Sequence, residues 1–257
     1  MQDAATRKDG TIQRGEIALS YASVIPASPK AALLIVHGIN DHKGRYAELQ
    51  DELAAAGFAS LAYDQRGFGR SGGKRGDVVD YVDYHTDLGV GLRLLRETCP
   101  KRPVFLLGHS LGGLVAATYC IKNPDAVDAL VLSSPAYQVP PLPFRMEFLG
   151  YVLNFLMPET AIGYPSRHHW RSHDPAVVKA VAEDPLIVIK ATPRFYIQFR
   201  KMNRFLQEHA DEIDMPTLIL QAGDDKIVSG EGVRVLFERL KNPQKKLLWY
   251  EGFYHEV

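Results

Sequence analysis

The stretch Val104 to Cys120, VFLLGHSLGGLVAATYC, decides the reading of the fold. An apolar run is followed by three glycines around one serine and then by a second, alanine-rich apolar run. Val104–Leu107 has the continuous hydrophobicity of a buried parallel strand, and Leu111–Cys120 reads as a helix. Gly108-His109-Ser110-Leu111-Gly112 is left to make the turn between them. G-x-S-x-G in that setting places a serine on a sharp, strained turn, with glycine two residues to either side because side chains there would strike neighbouring elements. The Ser110 hydroxyl then faces open space at a helix N-terminus, where the Leu111 amide points at developing negative charge. The simpler alternative is a plain turn with Ser110 as a helix cap.

The same chain holds two decoys. GRSGG (Gly69–Gly73) also fits G-x-S-x-G, and GFGRSG (Gly67–Gly72) fits the dinucleotide pattern G-x-G-x-x-G. Both run into the polar KRGDVVDY instead of an apolar helix, so they lack the strand-turn-helix context and read as loop glycines.

Outward from the serine, strand-like and helix-like segments alternate. AALLIVHG (31–38) is a short apolar run closed by glycine. RYAELQDELAAAG follows with Tyr46, Leu49, Leu53 and Ala56 at helical spacing and Gly57 as the stop. FASLAYD is a strand, VVDYVDYHTDLGVGLRLLRETCP a long helix ended by Pro100, and VDALVLSSP a further strand. From Ala136 to Ile213 the alternation is interrupted by a segment rich in proline, aromatics and histidine, with helical patterns but no convincing strand. It resumes with MPTLILQAG, the helix SGEGVRVLFERLK and KKLLWYEG. This pattern predicts an α/β chain: a mostly parallel central sheet flanked by helices, with a core of residues 1–135 and 214–257 and a helical cap inserted at 136–213. Chemistry is then expected beyond the carboxyl ends of the strands.

Bulk properties narrow the partners. The 257 residues carry 30 Lys and Arg against 30 Asp and Glu, so no global field recruits nucleic acid or an anionic surface. The polar start MQDAATRKDG lacks a signal-peptide pattern, and no apolar run approaches the roughly 18 residues of a membrane span. A cytoplasmic protein is expected, with membrane contact at most peripheral. Cys99 and Cys120 read as reduced, packed thiols. SRHHWRSHD offers His168, His169 and His173, but adjacent histidines on a helix diverge by about 100°, so neither metal nor cofactor is expected. Nothing in the sequence sets an oligomeric state.

A nucleophilic serine needs a base. In hydrolases built this way the chain order is serine, acid, histidine, with the acid after a late strand and the histidine after the last one. LILQAGDDKIV puts Asp224 and Asp225 just beyond a strand, and LLWYEGFYHEV puts His255 just beyond the next.

These residues carry a resemblance. HGINDHKGRY, YDQRGFGRSGGKRG, GHSLGG, SHDPAVVKAVAEDPL, QAGDDKIV and GFYHEV, spread over nearly the whole chain, resemble the α/β-hydrolase superfamily. Within it they are similar to the monoacylglycerol lipase and lysophospholipase group, also called serine aminopeptidase-like hydrolases. The resemblance matches D-x-x-V to Asp225-Lys226-Ile227-Val228, which implies Asp225 rather than Asp224 as the triad acid. It also implies the backbone amide of Ile39 as an oxyanion donor beside that of Leu111. His37 is expected as a structural hydrogen-bonder and Arg66 as a brace in the loop Asp64–Ser71. The SHDPAVVKAVAEDPL segment is implied to belong to the cap, without catalytic duty.

If the core supplies chemistry, the insertion should supply selectivity. VPPLPFRMEFLGYVLNFLMPET places Phe144, Phe148, Val152 and Phe155 at helical spacing, with further apolar residues widening the surface. These four are the expected cap contacts to substrate, one face packing on the domain and the other meeting an acyl chain or a membrane interface, with Arg145 and Glu147 at the wet edge. The alternative is an ordinary packed helix. The resulting expectation is a serine hydrolase of single-chain lipid esters, foremost monoacylglycerol cleaved to fatty acid and glycerol. Alternatives are a lysophospholipase, a short- or medium-chain carboxylesterase, or a binding protein on the hydrolase fold. The family resemblance further implies a closing helix after the histidine loop. Here the sequence stops at Val257, two residues past His255, so either the tail is omitted or that helix is missing, and a sheet face left bare would be costly.

Overall fold

The structure, a computed structural model, describes residues 5–140 and 143–257; Pro141 and Leu142 of the proline-rich stretch lie outside them. The strands are β1 (Thr6–Arg14), β2 (Ile17–Ile25), β3 (Ala31–Val36), β4 (Phe58–Tyr63), β5 (Val104–His109), β6 (Ala129–Ser133), β7 (Ile162–Gly163), β8 (Lys190–Ala191), β9 (Thr217–Ala222) and β10 (Lys245–Tyr250). The helices are α1 (Ala47–Ala55), α2 (Val82–Thr98), α3 (Leu111–Lys122), α4 (Phe144–Leu156), α5 (Pro175–Glu183), α6 (Pro193–His209) and α7 (Gly230–Arg239).

Eight strands form one sheet in the order β1-β2-β4-β3-β5-β6-β9-β10. From β4 to β10 neighbours run parallel, while β1/β2 and β2/β4 are antiparallel. The α/β architecture expected from the alternation is therefore present. The first two strands were not read from the sequence: β1 is an exposed edge strand whose outward residues are polar, so no apolar stripe marks it. The two-residue pair β7/β8, within the segment read as strand-free, is too short to leave a periodic signal.

Two topological facts position the site. The chain runs from β3 to β4 on one side and then crosses back to place β5 on the other, so the carboxyl ends of β3 and β5 meet at a switch point, with Val36 opposite Gly108. Such a crevice is where parallel sheets bind ligands. At the far edge β9 and β10 pair in parallel, Ala222 opposite Tyr250, and so bring together the loops that follow them.

Leu34, Val36, Leu106 and Leu132 are buried under α2 and α3, against Leu88, Leu92, Leu114 and Val115. On the opposite face α1 covers Leu33, Ile35 and Ala62. Beyond it Phe105, Leu107, Val131, Leu218 and Leu220 are half-buried. Gly57 ends the α1 turn at φ 84°, as a helix stop of that kind requires. Cys99 and Cys120 are buried and free.

Candidate active site

Ser110 joins β5 to α3 with φ 53° and ψ −115°, a backbone region costly to a residue with a side chain. The turn is held by its neighbours: the Ser110 amide donates to Ser133 O at 2.9 Å, and its carbonyl accepts the amides of Leu114 and Ala136, each at 3.1 Å. A β-carbon on Gly108 would overlap the Gly112 carbonyl, and one on Gly112 the Val36 carbonyl. The glycine requirement thus comes from backbone packed on backbone. Ser110 is buried but forms part of the wall of a cleft of about 270 Å³, together with Ile39, Asn40, Tyr164, Arg167, His168, Arg171, Ile227 and His255.

His255 Nδ1 lies 2.7 Å from Asp225 Oδ2. Asp225 Oδ1 accepts the amides of Ile227 and Val228 at 2.8 and 3.0 Å. Burial works to raise the Asp225 carboxyl, but the His255 bond and these amides outweigh it and hold the acid below the usual carboxylate range. Asp224 is exposed and points its amide at Phe253 O, 2.9 Å away. Neither Ile39 nor Leu111 has a hydrogen-bond acceptor for its amide among the described residues. Ser110, His255, Asp225, Ile39 and Leu111 are therefore gathered at one end of the sheet.

Two further histidines approach. His37 is buried, donates from Nδ1 to Gly38 O at 2.7 Å and accepts the Gln65 amide on Nε2 at 2.9 Å. Both nitrogens are thereby occupied and burial lowers its pKa, so it is no base. His109 packs its ring 4.8 Å from that of His255. Burial, then the like charge of His255, push His109 down to about 4, which keeps it neutral beside the base.

The decoy loop is scaffolding. Ser71 donates to Asp64 O at 2.5 Å and accepts the Ser20 amide at 2.8 Å, so its hydroxyl is saturated by main chain. The Asp64 carboxylate accepts the amides of Lys43 and Arg70, tying this loop to the one after β3. Arg66 makes a two-pronged pair with Asp87 at 2.6 and 2.7 Å.

The sequence of residues 27–257 matches the profile of the family described as serine aminopeptidase, S33. The chain belongs to that family. The S33 chain is 31% identical over 234 residues to human monoglyceride lipase, spanning 89% of this chain and 76% of the relative. It is 30% identical over 237 residues to monoacylglycerol lipase of Mycolicibacterium smegmatis, spanning 89% and 82%. A crystal structure of monoacylglycerol lipase from Paleococcus ferrophilus superposes with a TM-score of 0.84 at 32% identity, covering 93% of this chain and 91% of the other. The fold of the S33 chain is accordingly that of the α/β hydrolases.

The four residues expected to meet substrate fall elsewhere. Phe144, Phe148 and Phe155 of α4 are 81, 60 and 86% exposed, and with Val152 they stand apart from the wall of the Ser110 cleft described above. The reason is which face of α4 turns inward: Gly150 lies against Tyr196 of α6, and Glu147, expected at the wet edge, pairs with Arg200 of α6 at 2.9 Å. The cleft wall is instead supplied by residues 164–171. Sequence reading missed Asn40, Arg171 and Glu256, whose partners lie 131 and 211 residues away in the chain. The one available signal for Glu256 was its place next to His255.

Proposed function

We propose that this S33 hydrolase cleaves monoacylglycerols through an acyl-enzyme on Ser110. It is a carboxylic-ester hydrolase of the monoacylglycerol lipase group. The observation that carries the reading is that Ser110 on its strained turn and His255, held by a buried carboxylate, line one cleft with Ile39, whose amide, like that of Leu111, has no acceptor among the described residues. His255 Nε2 takes the Ser110 proton as the oxygen attacks the ester carbonyl, and the amides of Ile39 and Leu111 hold the oxyanion. Asp225 fixes the tautomer with the proton on Nδ1 and stabilises the imidazolium. The proton passes to the departing glycerol oxygen, and water, activated by the same nitrogen, releases the fatty acid.

Residues 136–213 act as a cap in this reading. The outer face of α4, with Phe144, Met146, Phe148, Leu149, Phe155 and Leu156 exposed, is suited to a lipid interface rather than to holding one acyl chain. No helix among the described residues is long and apolar enough to cross a membrane.

One observation favours a second substrate class. Arg167 faces the cleft, stacks on the Trp170 ring at 4.4 Å and has no carboxylate within 4 Å among the described residues. A lysophospholipid phosphate would pair with it. The test is hydrolysis of mono-, di- and triacylglycerols, lysophospholipids and short esters, with Ser110→Ala as blank. Monoacylglycerol is expected to be turned over fastest, and preference for lysophospholipid would replace the proposed substrate while leaving the mechanism.

A further inference from the structure

The residue after the base is held by two segments far apart in the chain. The Glu256 carboxylate accepts two N–H groups of Arg45, at 2.8 and 2.7 Å, and forms an ion pair with Arg171, whose Nε lies 2.8 Å away. Arg45 follows β3 on the sheet side, whereas Arg171 comes from the segment between β6 and β9. Main chain adds to the clasp, since the Glu256 amide donates to Arg171 O at 2.9 Å and the His255 amide to Trp170 O at 3.4 Å.

The same guanidinium reaches the opposite wall. Arg171 Nη1 donates to Asn40 O at 2.9 Å, and Tyr164 donates to Asn40 Oδ1 at 2.5 Å. Asn40 follows Ile39 directly and sits at φ 54°, in the left-handed region that asparagine tolerates better than most residues. One buried side chain, 7% exposed, therefore bridges the neighbour of the oxyanion amide and the neighbour of the base. Arginine can do this because its planar fork directs separate N–H groups along fixed lines, whereas a lysine ammonium offers one point charge.

We infer that Arg171 and Glu256 are positioning residues, and that the spacing between His255 and the Ile39 amide is set only when segment 164–171 is seated on the sheet. The cap is then a structural part of the catalytic geometry as well as a cover. Burial opposes the ionised Glu256, but Arg45 and Arg171 more than offset it, so the clasp stays charged at neutral pH. This inference rests on the Ser110–His255–Asp225 reading.

The test uses the full chain with p-nitrophenyl acetate, a soluble ester too small to need cap contacts, and the rate of fluorophosphonate labelling. Wild type, Arg171→Lys, Glu256→Gln, the double variant and Arg200→Gln are compared. Misplacement of a reacting group by about 1 Å costs about a hundredfold. Arg171→Lys and Glu256→Gln are expected to lower kcat and labelling rate tenfold to a hundredfold (an order-of-magnitude range), with KM little changed. The double variant should be no worse than the poorer single one, because both break one unit. Arg200→Gln, which loosens only α4 from α6, should leave both rates intact. Should Arg171→Lys fold poorly, Glu256→Gln decides alone. Restoration of full kcat by lysine, strictly additive losses, or a loss confined to KM overturns the inference. Wild type that resists labelling overturns the triad reading and this inference with it, whereas labelled wild type with unaffected variants overturns only the inference.

Discussion

His255 Nδ1 lies 2.7 Å from Asp225 Oδ2, and the other Asp225 oxygen is taken by the amides of Ile227 and Val228. The acid is thus fixed by its own loop before it fixes the histidine. Asp225→Asn keeps the shape but allows the ring to settle in the wrong tautomer. We expect kcat to fall about 10⁴-fold with KM nearly constant, as for triads of this type. Asp224→Asn, at an exposed site, should leave both constants unchanged; steady-state kinetics on a soluble ester reads the contrast.

The strain at Ser110 gives a stability prediction of opposite sign to the activity effect. Its φ of 53° suits glycine, so Ser110→Gly should be more stable than Ser110→Ala by about 1 kcal/mol, although both are inactive. Urea unfolding of the two variants measures the difference.

Acid stability should be set by buried neutral histidines. His85 and His109 are both pushed down to about 4, chiefly by burial, and His37 is lowered for the same reason. Below about pH 6.5 the unfolded chain binds protons that the folded chain refuses, so stability falls as pH drops from 6.5 towards 4. Each histidine contributes at most about 1.4 kcal/mol per pH unit in that window. Asp225, Glu256 and Asp41 have lowered folded pKa values and act in the same direction at lower pH: their contribution is fully present above the unfolded carboxylate range and is lost as pH falls through and below it. His85 Nε2 donates to Thr118 Oγ1 at 2.8 Å, away from the cleft, so His85→Gln should flatten the slope without touching catalysis. Urea midpoints at pH 7 and pH 5 supply the measurement.

The exposed face of α4 predicts a separation of functions. Replacing Phe144, Phe148 and Phe155 together by serine should reduce sedimentation with phosphatidylcholine vesicles several-fold. Turnover of p-nitrophenyl acetate should stay constant, because none of the three belongs to the described cleft wall. Equal loss of both would place these side chains in the catalytic path instead.

What could be read from the sequence follows the range of the forces involved. Ser110 was legible because strand, glycines and helix all lie within one short segment, and the Asp224–Asp225 pair and His255 because each follows an apolar strand directly, while the choice of Asp225 rested on the family resemblance. Strand β1 was not, since an edge strand with a polar outer row has no pattern to separate it from a loop; β2, paired on both sides and mostly buried, was missed because Ser20 and Ser23 interrupt its apolar run. Which face of α4 turns inward was not legible for a related reason: its apolar residues run most of the way round, and the inner face is marked by the Glu147–Arg200 pair and the close approach of Gly150 to Tyr196. Arg171 stood in SRHHWRSHD, where the histidines drew attention to metal binding. Its real partners, Asn40 and Glu256, are brought to it only by the folded sheet.

In the proposed mechanism Ser110 is the nucleophile and His255 its base, and mass spectrometry of the fluorophosphonate-treated protein locates the nucleophile. One adduct is expected, on the peptide containing Ser110, abolished in Ser110→Ala and strongly slowed in His255→Ala. Folded wild-type protein that takes no label, or takes it on another serine such as Ser71, would overturn the assignment of Ser110.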